Sequence, residues 1–350
     1  MSTATTTDGT AIQRPAMAPV SGASVWDADA MDRDRSWVIE LPEAALDEIE
    51  RTGHWILESG RSMRDIGLAD LCLDTLRKVL APVSRELADG RGAVLIRSLR
   101  VAGRSADAIK AQFWAIGACL GVGVSQNRRG EYVGDVVNLA DRIPTARPFQ
   151  LGGELVMHRD PIDVVGLLCI RHAKSGGLSR IGSSGLIHNV ILEERPDLLA
   201  RLYEGYVYHR LDEDRGTTAT LTPYRMPVFL RGTDGRVSSF FIPGPIERAK
   251  KLGANLDPLG IEAIRFFVEV SKRPGIYYDM NLMPGEIQFL NNRSAFHART
   301  DYEDFAQWEQ RRYMLRLWLM MPEWPVLPQN QRYLEDEDRC GGGIPFSASA

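Results

Sequence analysis

The stretch Arg311-Arg312-Tyr313-Met314-Leu315-Arg316-Leu317-Trp318-Leu319 limits the possible folds of this chain more than any other segment. It is short and apolar enough to be a core strand. Alternation along it places Arg312, Met314 and Arg316 on one face and Tyr313, Leu315 and Leu317 on the other. Guanidiniums on a buried face need anionic partners, because removing an unpaired charge from water is costly. The fold must therefore bring negative charge, from protein or ligand, to that side of the strand.

A second feature supplies a chemical reason. His158-Arg159-Asp160 stands apart from a lone His297 in Asn291-Asn292-Arg293-Ser294-Ala295-Phe296-His297. On a strand, positions i and i+2 project to the same side, so one segment can give an imidazole and a carboxylate to adjacent corners of a metal site. Two imidazoles and one carboxylate, with coordination positions left open, are the ligand set of a mononuclear iron(II) oxygenase. The same three ligands and a water would also satisfy zinc in a hydrolase. The remaining histidines, His54, His172, His188 and His209, read as surface or satisfied core residues.

The 350-residue chain is long enough to bury a substantial core. Apolar residues make up 44% and charged residues 25%, the balance of an ordinary globular protein. A net charge of −4 gives no electrostatic reason to expect nucleic acid or an anionic membrane as partner, which leaves a small molecule. No stretch approaches the roughly 20 continuous apolar residues of a membrane span. Cys72, Cys119, Cys169 and Cys340 lie far apart with no C-x-x-C spacing, so neither a zinc ribbon nor a disulfide framework is expected, and a reducing, cytoplasmic setting fits. Residues 1–30 begin with a Ser/Thr/Ala/Pro-rich stretch that lacks the pattern of a secretion signal and reads as a disordered arm.

Apolar spacing predicts helices over Glu43 to Ser59 and Asp70 to Leu87, the second kinked or split at Pro82, and a third from Ser105. Gly92 to Arg97 reads as a buried strand. Further strands are expected over Tyr132 to Leu139, Glu154 to His158, Asp163 to Arg171, Tyr206 to Arg210, Met226 to Arg231, Ser238 to Ile242, Ile287 to Leu290 and Tyr313 to Met320. Thr233-Asp234-Gly235 marks a hairpin turn. Helix is expected from His188 to Glu204, restarting at Pro196, and from Pro258 to Lys272 with Asp257 as its cap. A polar loop is expected to lead from Asn291 to His297. With no internal repeat, the chain reads as one domain over residues 31–325, a helical N-terminal layer on a double-sheet core, followed by a tail over 326–350 with the acidic run Glu335-Asp336-Glu337-Asp338.

Taken in order, His158/Asp160, then Gly176-Gly177-Leu178-Ser179, then Asn291-Asn292-Arg293 before His297, then Arg312, resemble the taurine dioxygenase and clavaminate synthase-like branch of the iron(II)/2-oxoglutarate oxygenases, the TauD/TfdA family. The resemblance runs from about Gly92 to Leu319. It implies an α+β fold whose core is a double-stranded β-helix, or jelly roll, flanked by helices. It also implies that His158, Asp160 and His297 bind iron(II), with 2-oxoglutarate as cosubstrate and dioxygen (O2) as oxidant. The far carboxylate of 2-oxoglutarate would be gripped by Arg312, with the Ser179 hydroxyl adding a hydrogen bond. Arg316 would assist that carboxylate or meet an anionic group on the substrate. The expected product chemistry is hydroxylation, or another oxidation, of an unactivated C–H bond, with succinate and carbon dioxide released. Because Asp160 is present where a halogenase would leave a gap for chloride, halogenation is disfavoured.

Two departures from the family pattern bear on the substrate. Pro161 follows Asp160 at once where many relatives have a longer loop, and Arg159 occupies a position where small or hydroxyl residues are commoner. Arg159, Arg316, Gln126 and Asn127 of the Ser125–Arg129 loop, and the Gln150–Met157 segment are therefore the expected substrate contacts, favouring an acidic or amino-acid-like metabolite. A zinc hydrolase with the same ligands, or a jelly-roll binding protein without catalysis, are the competing readings. Arg312 after His297 favours the oxygenase, since neither competitor needs a cosubstrate anion there. No motif fixes oligomeric state, which leaves a homo-oligomer open.

Overall fold

The computed structural model describes residues 17–142, 150–210, 220–334 and 343–344. The N-terminal part contains α1 (Ala28–Arg33), β1 (Val38–Glu40), α2 (Glu43–Glu58), α3 (Asp74–Ala88), β2 (Ala93–Arg97) and α4 (Ala106–Ala118). Strands β3 (Val122–Gly123), β4 (Val133–Val137), β5 (Leu155–His158), β6 (Val164–Arg171), β7 (Ser175–Gly176) and β8 (Ser179–Ser183) follow, then α5 (Ser184–Glu194) and α6 (Pro196–Glu204). The remainder runs β9 (Phe229–Arg231), β10 (Val237–Ser239), α7 (Pro243–Lys251), α8 (Pro258–Ser271), β11 (Tyr277–Met280), β12 (Ile287–Asn291), β13 (Ala295–Arg299), β14 (Tyr302–Glu303) and β15 (Tyr313–Met320).

Two sheets form the core. The larger has seven strands in the order β1-β2-β12-β6-β15-β3, with β4 also paired to β15; the smaller has the order β11-β8-β13-β5. They face each other: the Ser179 hydroxyl on β8 donates to Gln288 Oε1 on β12 across 2.5 Å, and Trp318 on β15 reaches Asp160 just beyond β5. Period-two alternation divides the larger sheet into two surfaces. Leu315, Leu317, Ile287, Phe289, Val164 and Leu168 point outward into an apolar layer with α2, α3 and α4. Met314, Trp318, Leu290, Val165 and Cys169 point inward toward the smaller sheet, whose other side is covered by α5, α6 and α8. The result is the helix-flanked double-stranded β-helix that the sequence motifs imply.

Local chemistry explains the helix ends. Ser105 and Asp257 cap α4 and α8 by accepting the backbone N–H of Ala108 and Gly260, at 3.2 and 2.6 Å. Glu48 on α2 accepts the N–H groups of Thr75 and Leu76, capping α3 from a neighbouring element at 3.2 and 2.7 Å. Gly232 and Arg236 close the expected hairpin between β9 and β10.

Several expectations are corrected. Pro82 neither splits nor ends α3, which is continuous from Asp74 to Ala88; Pro82 lies on the exposed side, where water can satisfy the carbonyl its missing N–H leaves unpaired. Tyr206 to Arg210 is not a strand but carries isolated bridges, Tyr206 to Met226 and His209 to Leu221. His297 is not at the end of a polar loop: the chain turns tightly at Asn291 to Ser294, and His297 is the central residue of β13. The arm expected over residues 1–30 is docked from residue 17 onward, with Val20 bonded to the Asn189 side chain and Trp26 buried against the body. The tail is likewise anchored, Tyr333 donating to His209 O at 2.9 Å and Ile344 N donating to Ser125 O at 2.9 Å. Residues 1–16, the Glu335 to Asp338 run and Cys340 lie outside the described residues.

Candidate metal centre

Main-chain pairing brings the two imidazoles together. β5 and β13 are antiparallel neighbours with His158 and His297 directly opposed, and their ring centroids are 4.3 Å apart. β5 ends at His158, so Asp160 lies past the strand instead of on it. Side chains hold it in place of the ladder: Asn292 Oδ1 accepts its backbone N–H at 3.3 Å, Trp318 Nε1 donates to Oδ2 at 2.8 Å, and Arg316 NH1 lies 3.4 Å from both carboxylate oxygens. One donor atom from each of His158, Asp160 and His297 falls within 4.8 Å of the others.

The electrostatics suit a divalent metal. Burial holds the His297 imidazole at about 3 and pushes His158 below its ordinary value, so both rings are neutral near pH 7 with lone pairs available. His158 Nδ1 faces the Val156 carbonyl at 2.8 Å, which fixes Nδ1–H as donor and leaves Nε2 for a metal. Burial works to raise the Asp160 carboxyl, but the Arg316 guanidinium and the Trp318 indole N–H hold it below its ordinary value and keep it ionised. The buried Nδ1 of His297 has no hydrogen-bond partner among the described residues, an uncompensated polar atom of the kind that ligand sites tolerate. Two neutral imidazoles and a carboxylate, clustered within 4.8 Å of one another, fit the facial set of a ferrous ion.

Arg312 is 7% exposed, and among the described residues its guanidinium makes no ion pair, which is unusual for a buried cation. Its backbone N–H goes to Asp304, and its side chain stands beside the Tyr302 ring, centroid 5.6 Å away. Gly176 and Gly177, at φ +70° and +68°, form the turn against it. A β-carbon on Gly177 would come within 3.2 Å of Arg312 Nε, and one on Gly176 within 2.2 Å of the Asp301 carbonyl oxygen. The Gly-Gly pair is therefore required by both backbone conformation and close approach. An anion of the size of a carboxylate fits the charge left over at this end of the barrel.

The other expected contacts divide. Arg316 and Gln126 are brought to the centre together: Arg316 Nε donates to Gln126 Oε1 at 2.7 Å, and Gln126 Nε2 donates back to Arg316 O at 2.7 Å. Asn127 is not at the site; its side chain closes its own turn, Nδ2 donating to Glu131 Oε2 at 2.5 Å and Oδ1 accepting from Arg129 N at 3.0 Å. Arg159, 2% exposed, is engaged behind the ligands, donating to the carbonyls of Asp160 and Ser239 with its guanidinium 4.9 Å from the Phe240 ring centroid. Those contacts take up the cation that was expected to meet substrate. In the Gln150–Met157 segment, Leu151 and Gly153 offer their carbonyls to Arg299 at 2.8 and 2.9 Å.

Trp318 and Gln288 are site residues to which the sequence motifs assign no role, and Asn292 stands in the Asn291-Asn292-Arg293 motif with no role stated. Trp318 continues the Arg312, Met314, Arg316 alternation by one more step, and Gln288 is the polar inward position of an otherwise apolar strand. Both signals were present in the pattern.

Comparison with known proteins agrees with this geometry. Residues 59–318 match the family described as taurine catabolism dioxygenase TauD, TfdA family. The chain is 27% identical over 308 residues to FR-33289 synthase from Streptomyces rubellomurinus, covering 86% of this chain and 90% of that protein. Among solved structures, it is similar to an asparagine oxygenase in complex with Fe(II), 3-hydroxyasparagine and succinate, with TM-score 0.62, 17% identity, and 81% and 93% of the two chains covered. It is also similar to the non-heme iron oxygenase OrfP in complex with Fe and alpha-ketoglutaric acid, with TM-score 0.59, 15% identity and the same shares covered. With that family match across most of its length and a His-Asp-His cluster in the β-helix, the chain belongs to the TauD/TfdA family of iron(II)/2-oxoglutarate-dependent dioxygenases.

Proposed function

We propose that this enzyme hydroxylates an unactivated C–H bond of a small, anionic, amino-acid-like metabolite, coupled to conversion of 2-oxoglutarate to succinate. One observation carries the reading: the His158/Asp160/His297 cluster opens onto the same interior as Arg312, a buried guanidinium with no protein ion pair among the described residues. Bound iron would activate dioxygen, the oxidant, with two of its four electrons drawn from oxidative decarboxylation of the keto acid to succinate and carbon dioxide and two from the substrate C–H bond. The chain's own residues do the rest. His158, Asp160 and His297 hold the metal, and Arg312 and the Ser179 strand hold the far carboxylate of 2-oxoglutarate between the two sheets.

Arg316 supports an anionic substrate. Its carboxylate neighbour is Asp160, and a metal at the cluster draws that charge to itself, so the guanidinium can receive a carboxylate from a substrate. Hydroxyasparagine and hydroxyarginine in the similar structures support an amino-acid-like molecule. Asp160 as a ligand favours hydroxylation over halogenation. The free thiols Cys72, Cys119 and Cys169 support a reducing cytoplasm, and no helix among the described residues is long and apolar enough to cross a membrane.

The test is succinate formation from 2-oxoglutarate, with ferrous iron and dioxygen, across a panel of amino acids and their acidic derivatives, followed by mass detection of a product heavier by one oxygen. Iron-dependent succinate with a hydroxylated product supports the reading. Absence of 2-oxoglutarate binding to the iron-loaded protein overturns it. A zinc hydrolase would instead show activity with zinc and indifference to 2-oxoglutarate.

A further inference from the structure

Gln288 is 1% exposed and sits at the inward position of β12, between the outward residues Ile287 and Phe289. Pairing places it opposite Leu167 on β6, which is in turn opposite Arg316 on β15, so Gln288 and Arg316 stand on the same face of the larger sheet. Its Oε1 accepts the Ser179 hydroxyl at 2.5 Å. Its Nε2 is buried and has no hydrogen-bond partner among the described residues.

A hydroxyl has a single proton to give. Ser179 spends its proton on Gln288 Oε1, and this bond fixes the amide so that its two N–H donors are turned away from Ser179. Burying an amide donor unpaired is unfavourable, and such donors persist where a ligand completes them. Arg312 lies at the same end of the barrel, against Gly177, two residues before Ser179. A carboxylate paired with Arg312 is the acceptor that the orphaned amide lacks.

We propose that Gln288, oriented by Ser179, donates its Nε2–H to the remote carboxylate of 2-oxoglutarate, so that Ser179 acts on the cosubstrate through Gln288. The inference rests on the proposed function and refines it, since Ser179 becomes a positioning residue and Gln288 the contact.

Equilibrium dialysis of 2-oxoglutarate against the iron-loaded, oxygen-free protein tests it. Wild-type protein that takes up no 2-oxoglutarate overturns the proposed function itself. With binding established, Gln288→Met keeps side-chain length and removes the donor. It is expected to weaken 2-oxoglutarate roughly ten- to a hundredfold. Iron content should not change. Affinity for 2-oxobutanoate, which keeps the keto acid end but lacks the remote carboxylate, should also be unchanged. Ser179→Ala added to Gln288→Met should cost nothing further, because both act through one contact. Unaltered 2-oxoglutarate affinity in Gln288→Met, an equal loss for 2-oxobutanoate, or fully additive losses in the double variant would each overturn the proposal. Should Gln288→Met fail to fold, Gln288→Glu decides: a carboxylate at that position is expected to repel 2-oxoglutarate, and unaltered binding overturns the inference.

Discussion

His158 and His297 oppose each other in register on neighbouring antiparallel strands, with ring centroids 4.3 Å apart. Their spacing is thus set by the backbone pairing of β5 with β13. Asp160 differs. It lies beyond the end of β5, and its carboxylate is aimed by the Trp318 indole and the Arg316 guanidinium. Two corners of the metal site are fixed by backbone, and the third by side-chain contacts from the opposite sheet.

Trp318→Phe keeps the ring in the interior and removes the N–H that binds Asp160 Oδ2. Losing such an outer contact to a metal ligand typically costs roughly ten- to a hundredfold in metal affinity. Ferrous-iron affinity, measured by competition with a chelator, is expected to fall by that amount with the fold intact. An unchanged affinity would mean that Arg316 alone orients the carboxylate.

Arg312→Leu should raise the KM for 2-oxoglutarate more than tenfold, as expected from a lost charged hydrogen bond of about 1.5–3 kcal/mol. Arg312→Lys, with the charge but not the planar fork, should fall between. In the ligand-free protein the sign reverses. Burial already pulls the Arg312 pKa down, so replacing this cation, which has no ion pair among the described residues, by an apolar side chain is expected to raise the melting temperature. Calorimetry without cosubstrate checks it.

Gln126→Leu removes the acceptor of Arg316 Nε and the donor to Arg316 O. Arg316 then loses its lateral support while Arg312 is untouched. The expected outcome is a higher KM for the anionic substrate and an unchanged KM for 2-oxoglutarate, read from steady-state kinetics with each varied in turn.

His188 is fully buried on α5, hydrogen-bonded to Tyr203 at 2.9 Å and Asn189 at 3.2 Å, and burial lowers its pKa from 6.5 to about 4. Above pH 6.5 the ring is neutral folded and unfolded. As pH falls below 6.5 the unfolded chain takes up a proton that the native state refuses until about pH 4, so stability is lost across that window, by on the order of 3 kcal/mol. Urea denaturation at pH 7.5 and 4.5 should show a smaller loss in His188→Gln than in wild type.

Much of this is legible in the sequence. The alternation in β15 correctly assigned Arg312, Met314 and Arg316 to the interior, because a strand with leucines on its other face can be buried only one way round. Caps such as Asp257 were legible because they act within four residues of themselves. Asn127 and Arg159 are engaged away from the expected substrate side for a shared reason: a polar side chain next to a metal-binding motif can turn to its own backbone or away to a neighbouring segment, and that choice depends on contacts distant in sequence. Arg159 is claimed by Ser239, and Gln288 by Ser179, over separations that no local pattern records. The polar residues before His297 read as a loop, yet the Asn291 to Ser294 turn is tight enough to leave room for a five-residue strand around His297.

The strict two-residue period of β15 makes that strand intolerant of length changes. One inserted residue just ahead of Arg316 would rotate every following side chain by half a turn, sending the guanidinium into the leucines of the α4 layer and a leucine toward the metal ligands. Natural variants of this enzyme should therefore carry their insertions and deletions outside Tyr313 to Met320, while substitutions on the outward face, at Leu315 or Leu317, can drift among apolar residues without disturbing the chemistry on the other side.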